Sequence, residues 1–383
     1  EQWKEFSKDV PRQSLFRDIT SIGVEYTISG ASSKNCYYVT VPYYAEDVYY
    51  GHLPSQTKNA VDVCNMDDSE SCFSSAIIDH CYRSFFCYES SNCIDSAFLY
   101  DCRNCSNCFG CTNLRNKRYC FFNEQLTKEE YEERMEGINL GKRSEMRAWR
   151  ERFQGVLQSA IRKATNNVKV ENCVGDNLRG CRNCFKCFRV INEGENLRYV
   201  CPADRFSNAM DAQGAQSSFA YETNGIVHGQ RINFSMMVRT GREAEYSVEC
   251  TNCDYIFGCI GLKNKKYCIF NTQYTEEEYW PLVDEIKAKM LADGEYGEFF
   301  PLQMSTVAYQ DSSASVDFPL SEEEVARRGW HMKEHEKSDI DFSQMTVLKP
   351  EQVQDDISDV TDDILKTPII CERTEKPFRI TPF

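Results

Sequence analysis

Read in steps of three, residues 36 to 114 form a run in which no position is charged and nearly all are small or apolar. The steps include Cys36, Val39, Val48, Ala60, Val63, Met66, Cys72, Ile78, Cys81, Cys87, Cys93, Leu99, Cys102, Cys105, Cys108, Cys111 and Leu114. A period of three held this long is neither the 3.6 of a helix nor the 2.0 of a strand. It predicts short strands alternating with tight corners, with one residue in three facing a thin interior. Such an interior admits small side chains, and a reduced cysteine behaves as a small hydrophobe. The expected fold is mainly β with helical insertions: a narrow parallel β-solenoid, or β-helix, in two duplicated blocks.

The same walk recurs at Ile232, Ser235, Val238, Ala244, Ser247, Cys250, Cys253, Ile256 and Cys259. Shorter runs appear at Leu178, Cys181, Cys184, Cys187 and Val190, and at Phe206, Ala209, Ala212, Ala215 and Ser218. A twelve-residue coil would stack Cys81 over Cys93 and Cys105, and Cys87 over Leu99 and Cys111. The interior spacing resembles that of insect antifreeze solenoids. The resemblance is architectural, because their regular T-x-T rows are absent, and ice binding does not follow from it.

"CRNCSNCFGCTNLRNKRYCFFNEQLTKEEY" (102–131) matches "CTNCDYIFGCIGLKNKKYCIFNTQYTEEEY" (250–279) at an offset of 148, with 18 of 30 positions identical. The duplication bears on Cys102, Cys105, Cys108 and Cys111, whose C-x2-C steps match the spacing of zinc and iron–sulfur loops. In the second copy Cys108 becomes Ile256, which cannot ligate a metal. The reading is therefore a core ladder of Cys81, Cys87, Cys93, Cys102, Cys105, Cys111, Cys250, Cys253 and Cys259, with no cofactor expected. Zinc is the ion a metal reading would call for. The chain has 21 cysteines, an odd number. A twelve-residue coil lets Cys81 bridge to Cys87 but sets Cys93 against Leu99, so reduced thiols are expected and a cytoplasmic or assembly-buried setting follows.

Thr127 with Glu130, and Thr275 with Glu278, read as capping boxes that open helices after each block. The first continues into a second helix with Met146, Trp149, Phe153, Val156 and Ile161 on one face. Ser321 and Glu324 predict another short helix. The expected organisation is an N-terminal arm (1–35), a first block (36–123), a helical insertion (124–168), a second block (169–271), a helix (272–293) and an extended C-terminal arm (294–383). The acidic "PEQVQDDISDVTDDILK" within that arm reads as a mobile or partner-docked strap.

The NC steps, the doubled "NCFGCTNLRNKRYC" motif, "GEYGEFFPL", "DDISDVTDDIL" and "CERTEKPF" together resemble an uncharacterised Cys-rich repeat family of uncultivated small-genome bacteria, and of large DNA viruses. The resemblance covers nearly the whole chain. It implies flanking zinc-ribbon-like segments. Here the N-terminal one is missing, and Thr374 stands where a second ligand to pair with Cys371 would fall. No terminal zinc site is carried over, and no activity comes with the family.

The net charge of −15 argues against direct nucleic-acid binding, which needs a surplus of cations. No apolar run is long enough to span a membrane, and no signal-peptide pattern opens the sequence. His331 and His335 stand four apart but make half a zinc site at most. Arg115, Lys117 and Arg118, matched by Lys263, Lys265 and Lys266, form a doubled basic turn that could grip an acidic partner. No Ser-His-Asp set, P-loop or dinucleotide fingerprint is present, so no enzyme is expected. The expected function is a structural scaffold that self-associates, or joins other assembly proteins, through its helices and C-terminal arm. Exposed Tyr82, Tyr88 and Tyr100 would add to its surface, and an envelope layer or virion-type shell would suit it. Two alternatives are an acidic solenoid that mimics DNA, and a thiol-based zinc or iron–sulfur protein.

Overall fold

The computed structural model describes residues 2–12, 19–27, 30–176, 178–188, 190–191, 203–204, 208–210, 213–217, 219–312, 314–334, 342 and 345–380. The protein is mainly β, with mostly parallel sheets. It divides into two units. The N-terminal ladder unit comprises Leu15–Arg162 and Glu336–Phe383; the C-terminal ladder unit comprises Glu1–Ser14 and Lys163–His335. Four helices matter below: α1 (Gln2–Lys8), α2 (Lys128–Glu136), α3 (Arg143–Ser159) and α4 (Glu276–Ala292).

In the main ladder of the N-terminal unit, each parallel pair joins residues twelve apart. Pairing starts at Ile22↔Lys34, inside the stretch expected as an arm, and runs to Phe109↔Phe121. Cys87 pairs with Leu99, and Leu99 with Cys111. The C-terminal unit starts less regularly: Val168 pairs with Arg179 and Val174 with Phe185, eleven apart. From Val227↔Arg239 onward its main ladder also steps by twelve.

The backbone explains the period of three. From Ser32 to Phe122 every third residue has positive φ, including Asn35, Asn59, Asn92, Asn104, Asn107, Gly110, Asn113 and Asn116. The same holds from Glu222 to Phe270. Each left-handed residue turns the chain so that the next side chain faces inward. Outside glycine, asparagine and aspartate bear this conformation most readily, which is why so many inward cysteines follow an asparagine.

The interior of the N-terminal unit is a column of small or slender side chains: Cys36, Val39, Val48, Ala60, Met66, Cys81, Cys87, Leu99, Cys102 and Cys111 are each at most 2% exposed. Inward serines fit because their hydroxyls are satisfied on both sides. Ser96 Oγ donates to the Ile94 carbonyl (2.8 Å) and accepts from the Cys108 N–H one turn later (3.1 Å). Ser90 does the same with Tyr88 and Cys102. The C-terminal unit has an equivalent core of Cys181, Cys187, Ile226, Ile232, Val238, Cys250, Ile256 and Cys259. In the last of the shorter runs, Ala209 is buried, whereas Phe206, Ala212, Ser218 and the side chain of Ala215 lie outside the described residues, as does the side chain of Val190 in the run before it.

The duplicated motif closes each ladder. The Asn123 side chain donates to the Thr112 carbonyl (3.1 Å) and accepts from its N–H (2.9 Å); Asn271 treats Ile260 identically. An amide side chain thus stands in for the next strand. Thr127 and Thr275 then open α2 and α4 with complete capping boxes. Helix α3 covers an aromatic column, with Phe153 against Phe98 and Trp149 against Phe109. In the C-terminal unit, α4 with Tyr296 and Phe300 covers Phe234, Tyr246 and Phe257. Two surface expectations are corrected. Tyr100 is buried beneath the helical layer, and Ile161 is exposed because α3 ends at Ser159.

Candidate functional site

The nine ladder cysteines all point inward and none is more than 2% exposed. Their thiols follow one rule, donating to the carbonyl two residues earlier: Cys102 to Tyr100 (3.5 Å), Cys105 to Arg103 (3.4 Å), Cys108 to Ser106 (3.4 Å) and Cys111 to Phe109 (3.3 Å). Every cysteine among the described residues is a free thiol. Burial pushes the Cys72 and Cys250 thiols up to about 12 and the Cys87 thiol well above its usual range. Cys81, Cys105 and Cys111 are exceptions, held down by hydrogen bonds from neighbouring thiols, and Cys105 has the most such partners. Hydrogen bonds from Cys102, Cys108 and Cys93 hold its pKa down, while the same contacts, together with burial, raise those three. No group of three or more His, Cys, Asp or Glu side chains among the described residues is placed to hold a metal ion.

The basic residues of each turn are engaged differently. Arg115 grips the buried Asp101 with Nη2 at 2.8 Å from both carboxylate oxygens. Lys266 pairs with Asp254 at 3.3 Å, beside Arg242 at 3.2 Å. Lys117, Arg118, Lys263 and Lys265 are exposed on the turns. His331 is exposed, and its carbonyl accepts from the Tyr309 N–H; His335 lies outside the described residues.

The acidic strap is docked on its own chain. Asp355 and Asp356 meet the start of α3, and Glu372 takes both of its oxygens to Arg147 Nη2 at 2.8 and 2.7 Å. Helix α1, within the expected N-terminal arm, packs in the C-terminal unit, with the Trp3 ring 4.5 Å from Phe300.

A site that the sequence reading missed lies on the outer face of the N-terminal ladder. Thr40, His52, Cys64, Ala76 and Tyr88 follow one another across the strands, one turn apart. Beside them runs the left-handed column of Tyr38, Tyr50, Asp62, Ser74, Phe86 and Phe98. Between the two columns lies a groove of about 450 Å³ lined by Tyr38, Thr40, Tyr50, His52, Asp62, Cys64, Ser74 and Tyr88. Cys64 is off the inward walk, half-buried, and its sulfur accepts from Asn65 Nδ2 at 3.5 Å. The sequence signal was the paired tyrosines Tyr37–Tyr38 and Tyr49–Tyr50: the first of each pair lies along the strand and the second takes the left-handed position.

No protein-family model matches the chain, and no curated protein matches it. Among solved structures, a putative acetyltransferase from Desulfovibrio desulfuricans G20 aligns at 9% identity over 68% of this chain and 67% of its own, with a TM-score of 0.12. A UDP-N-acetylglucosamine acyltransferase from Campylobacter jejuni aligns at 8% identity over 82% and 99%, with a TM-score of 0.09. At such scores neither alignment carries an argument about fold or activity.

Proposed function

We propose that this chain is a non-enzymatic structural protein whose two parallel ladders are narrow, thiol-lined β-solenoids. As a scaffold, it would assemble with itself or cement a larger shell or layer. The observation that carries the reading is the uniform register of the N-terminal ladder, whose parallel pairs all step by twelve from Ile22↔Lys34 to Phe109↔Phe121. The inward side chains of such a stack are buried along its length. Repetition of one backbone unit also makes a stiff element with outward columns of regularly spaced side chains, which is what a building block needs. The DNA-mimic alternative would require continuous acidic rows. Instead Lys34, Glu46, Lys58 and Glu70 alternate along one column, with Lys34 2.8 Å from Glu46. The thiol–metal alternative has no observation in its favour.

The test is the native mass by light scattering, with electron microscopy of the same sample. A closed oligomer or ordered lattice is expected. A strict monomer at high concentration, with no partner recovered from the native source, overturns the reading.

A further inference from the structure

We propose that the groove beside Tyr38 and Tyr50 binds a neutral oligosaccharide. This goes beyond the scaffold role and does not depend on it. The left-handed column changes chemistry along its length. Where the column lies under the helical layer it carries phenylalanines: Phe86 and Phe98 are 4% and 1% exposed, with Arg150 over the first ring and Phe153 against the second. Before that point it carries Tyr26, Tyr38 and Tyr50, which are 72%, 62% and 53% exposed. These rings form a continuous surface, with Tyr26–Tyr38 centroids 6.3 Å apart and Tyr38–Tyr50 centroids 6.1 Å apart. Tyrosine combines an apolar face with a polar tip, so it suits a platform that meets water and ligand in turn.

A pyranose matches this arrangement. Its C–H face stacks on an aromatic ring, and its rim of hydroxyls needs donors and acceptors. The groove supplies them in Asp62, His52 and the buried Ser74, between the walls made by Tyr38, Tyr50 and Tyr88. No lysine or arginine lines it, so a phosphate, a sulfate or a nucleic-acid backbone would meet Asp62 with no compensating cation. The platforms repeat once per strand, with ring centroids 6.1–6.3 Å apart. A row of rings repeated strand after strand favours a chain over a single sugar.

The experiment uses the full chain and four neutral probes, cellohexaose, xylohexaose, mannohexaose and chitohexaose, read by saturation-transfer NMR and calorimetry. At least one is expected to bind, and the Tyr38→Ala/Tyr50→Ala double variant to bind it at least about tenfold more weakly, a loss of roughly 1.4 kcal/mol. Tyr82→Ala, on a different column, is the control and should leave binding unchanged. Bound probe should also slow alkylation of Cys64 while leaving Cys371 unaffected. Circular dichroism of each variant separates lost binding from lost fold. Failure of all four probes to bind the folded protein overturns the proposal, as does binding that the double variant retains. Conversion of an oligomer to a monomer by the double variant, without glycan binding, would assign the face to a second copy and likewise overturn it.

Discussion

Asp355 caps a helix that begins more than two hundred residues before it. Its carboxylate accepts from the Ser144 N–H at 2.8 Å and from the Ser144 hydroxyl at 2.5 Å, and its carbonyl accepts from the Arg143 N–H at 2.9 Å. Helix α3 needs this, because its own N-cap, Lys142, offers no capping side chain. The first N–H groups of a helix lack intrahelical acceptors and carry partial positive charge, so a carboxylate is well placed there.

The strap should therefore be held at neutral pH and released in acid. Hydrogen bonds from Ser144 hold the Asp355 carboxyl below its usual value; Ser358 does the same for Asp356, and Arg147 for Glu372. A depressed folded-state pKa gives stability that is complete above the unfolded value, about 4 for a carboxylate, and is lost as the pH falls through the folded value. Hydrogen-exchange protection across 345–380, taken relative to the intrinsic rate at each pH, should be high at pH 7 and low at pH 3, while the ladder interior stays protected. Asp355→Ala should speed exchange of the strap at pH 7. Equal exchange in the variant and the parent would sink the capping role.

Gly110 and Gly258 occupy equivalent places but should not respond equally to alanine. Both have positive φ, +68° and +65°. A Cβ on Gly110 would lie 2.7 Å from the Phe122 ring, whereas one on Gly258 would lie 3.1 Å from Phe270. Gly258→Ala should cost about 1–2 kcal/mol, the left-handed penalty alone. Gly110→Ala should add a packing clash, for roughly 2–4 kcal/mol in all. Urea unfolding would measure both, and trimming Phe122 to leucine should remove most of the difference.

Ser96→Ala should destabilise by about 1–3 kcal/mol, the cost of leaving a buried donor without its acceptor. The orphan would be the Cys108 N–H, which Ser96 Oγ now accepts at 3.1 Å. Ser96→Cys should recover part of the loss, because a thiol already fills comparable inward positions. A neutral Ser96→Ala in denaturant titration would show that the inward hydroxyls contribute only volume.

The inward walk was legible because a thin interior rejects charge and bulk at every third position, an imprint that survives in one sequence. The left-handed positions were legible too, though only as asparagine before cysteine: Asn35–Cys36, Asn92–Cys93, Asn104–Cys105 and Asn252–Cys253. Long-range docking was not. Arg147 with Glu372, or Ser144 with Asp355, is a single complementary pair with no period to reveal it. Tyr100 misled for a related reason. Its place along the strand faces away from the interior, and only the helical layer, which period-three reading cannot place, buries it. The tyrosine groove escaped because it is built from two outward columns whose residue type changes along their length, so the twelve-residue recurrence of Tyr26, Tyr38 and Tyr50 gives way to Asp62 and Ser74.

Thiol reactivity separates inward from outward cysteines. Alkylation requires the thiolate, and burial keeps most inward thiols protonated, with Cys72 and Cys250 pushed up to about 12; Cys81, Cys105 and Cys111, lowered by neighbouring thiols, are shielded by enclosure. Cys371 differs, since hydrogen bonds from Thr374 lower its pKa. Cys64 and Cys173 are half-buried rather than enclosed. Brief iodoacetamide treatment of the native protein at pH 8, followed by peptide mapping, should label Cys371 first and Cys64 and Cys173 next. Cys87, Cys102, Cys111 and Cys259 should react only after unfolding in urea. Cys105 is the sharpest case: its neighbours favour its thiolate, yet it is 1% exposed. If enclosure governs, it stays unlabelled with the rest of the column. If it reacts natively alongside Cys371, the ladder opens on the labelling timescale, and the closed interior that underlies the scaffold reading fails.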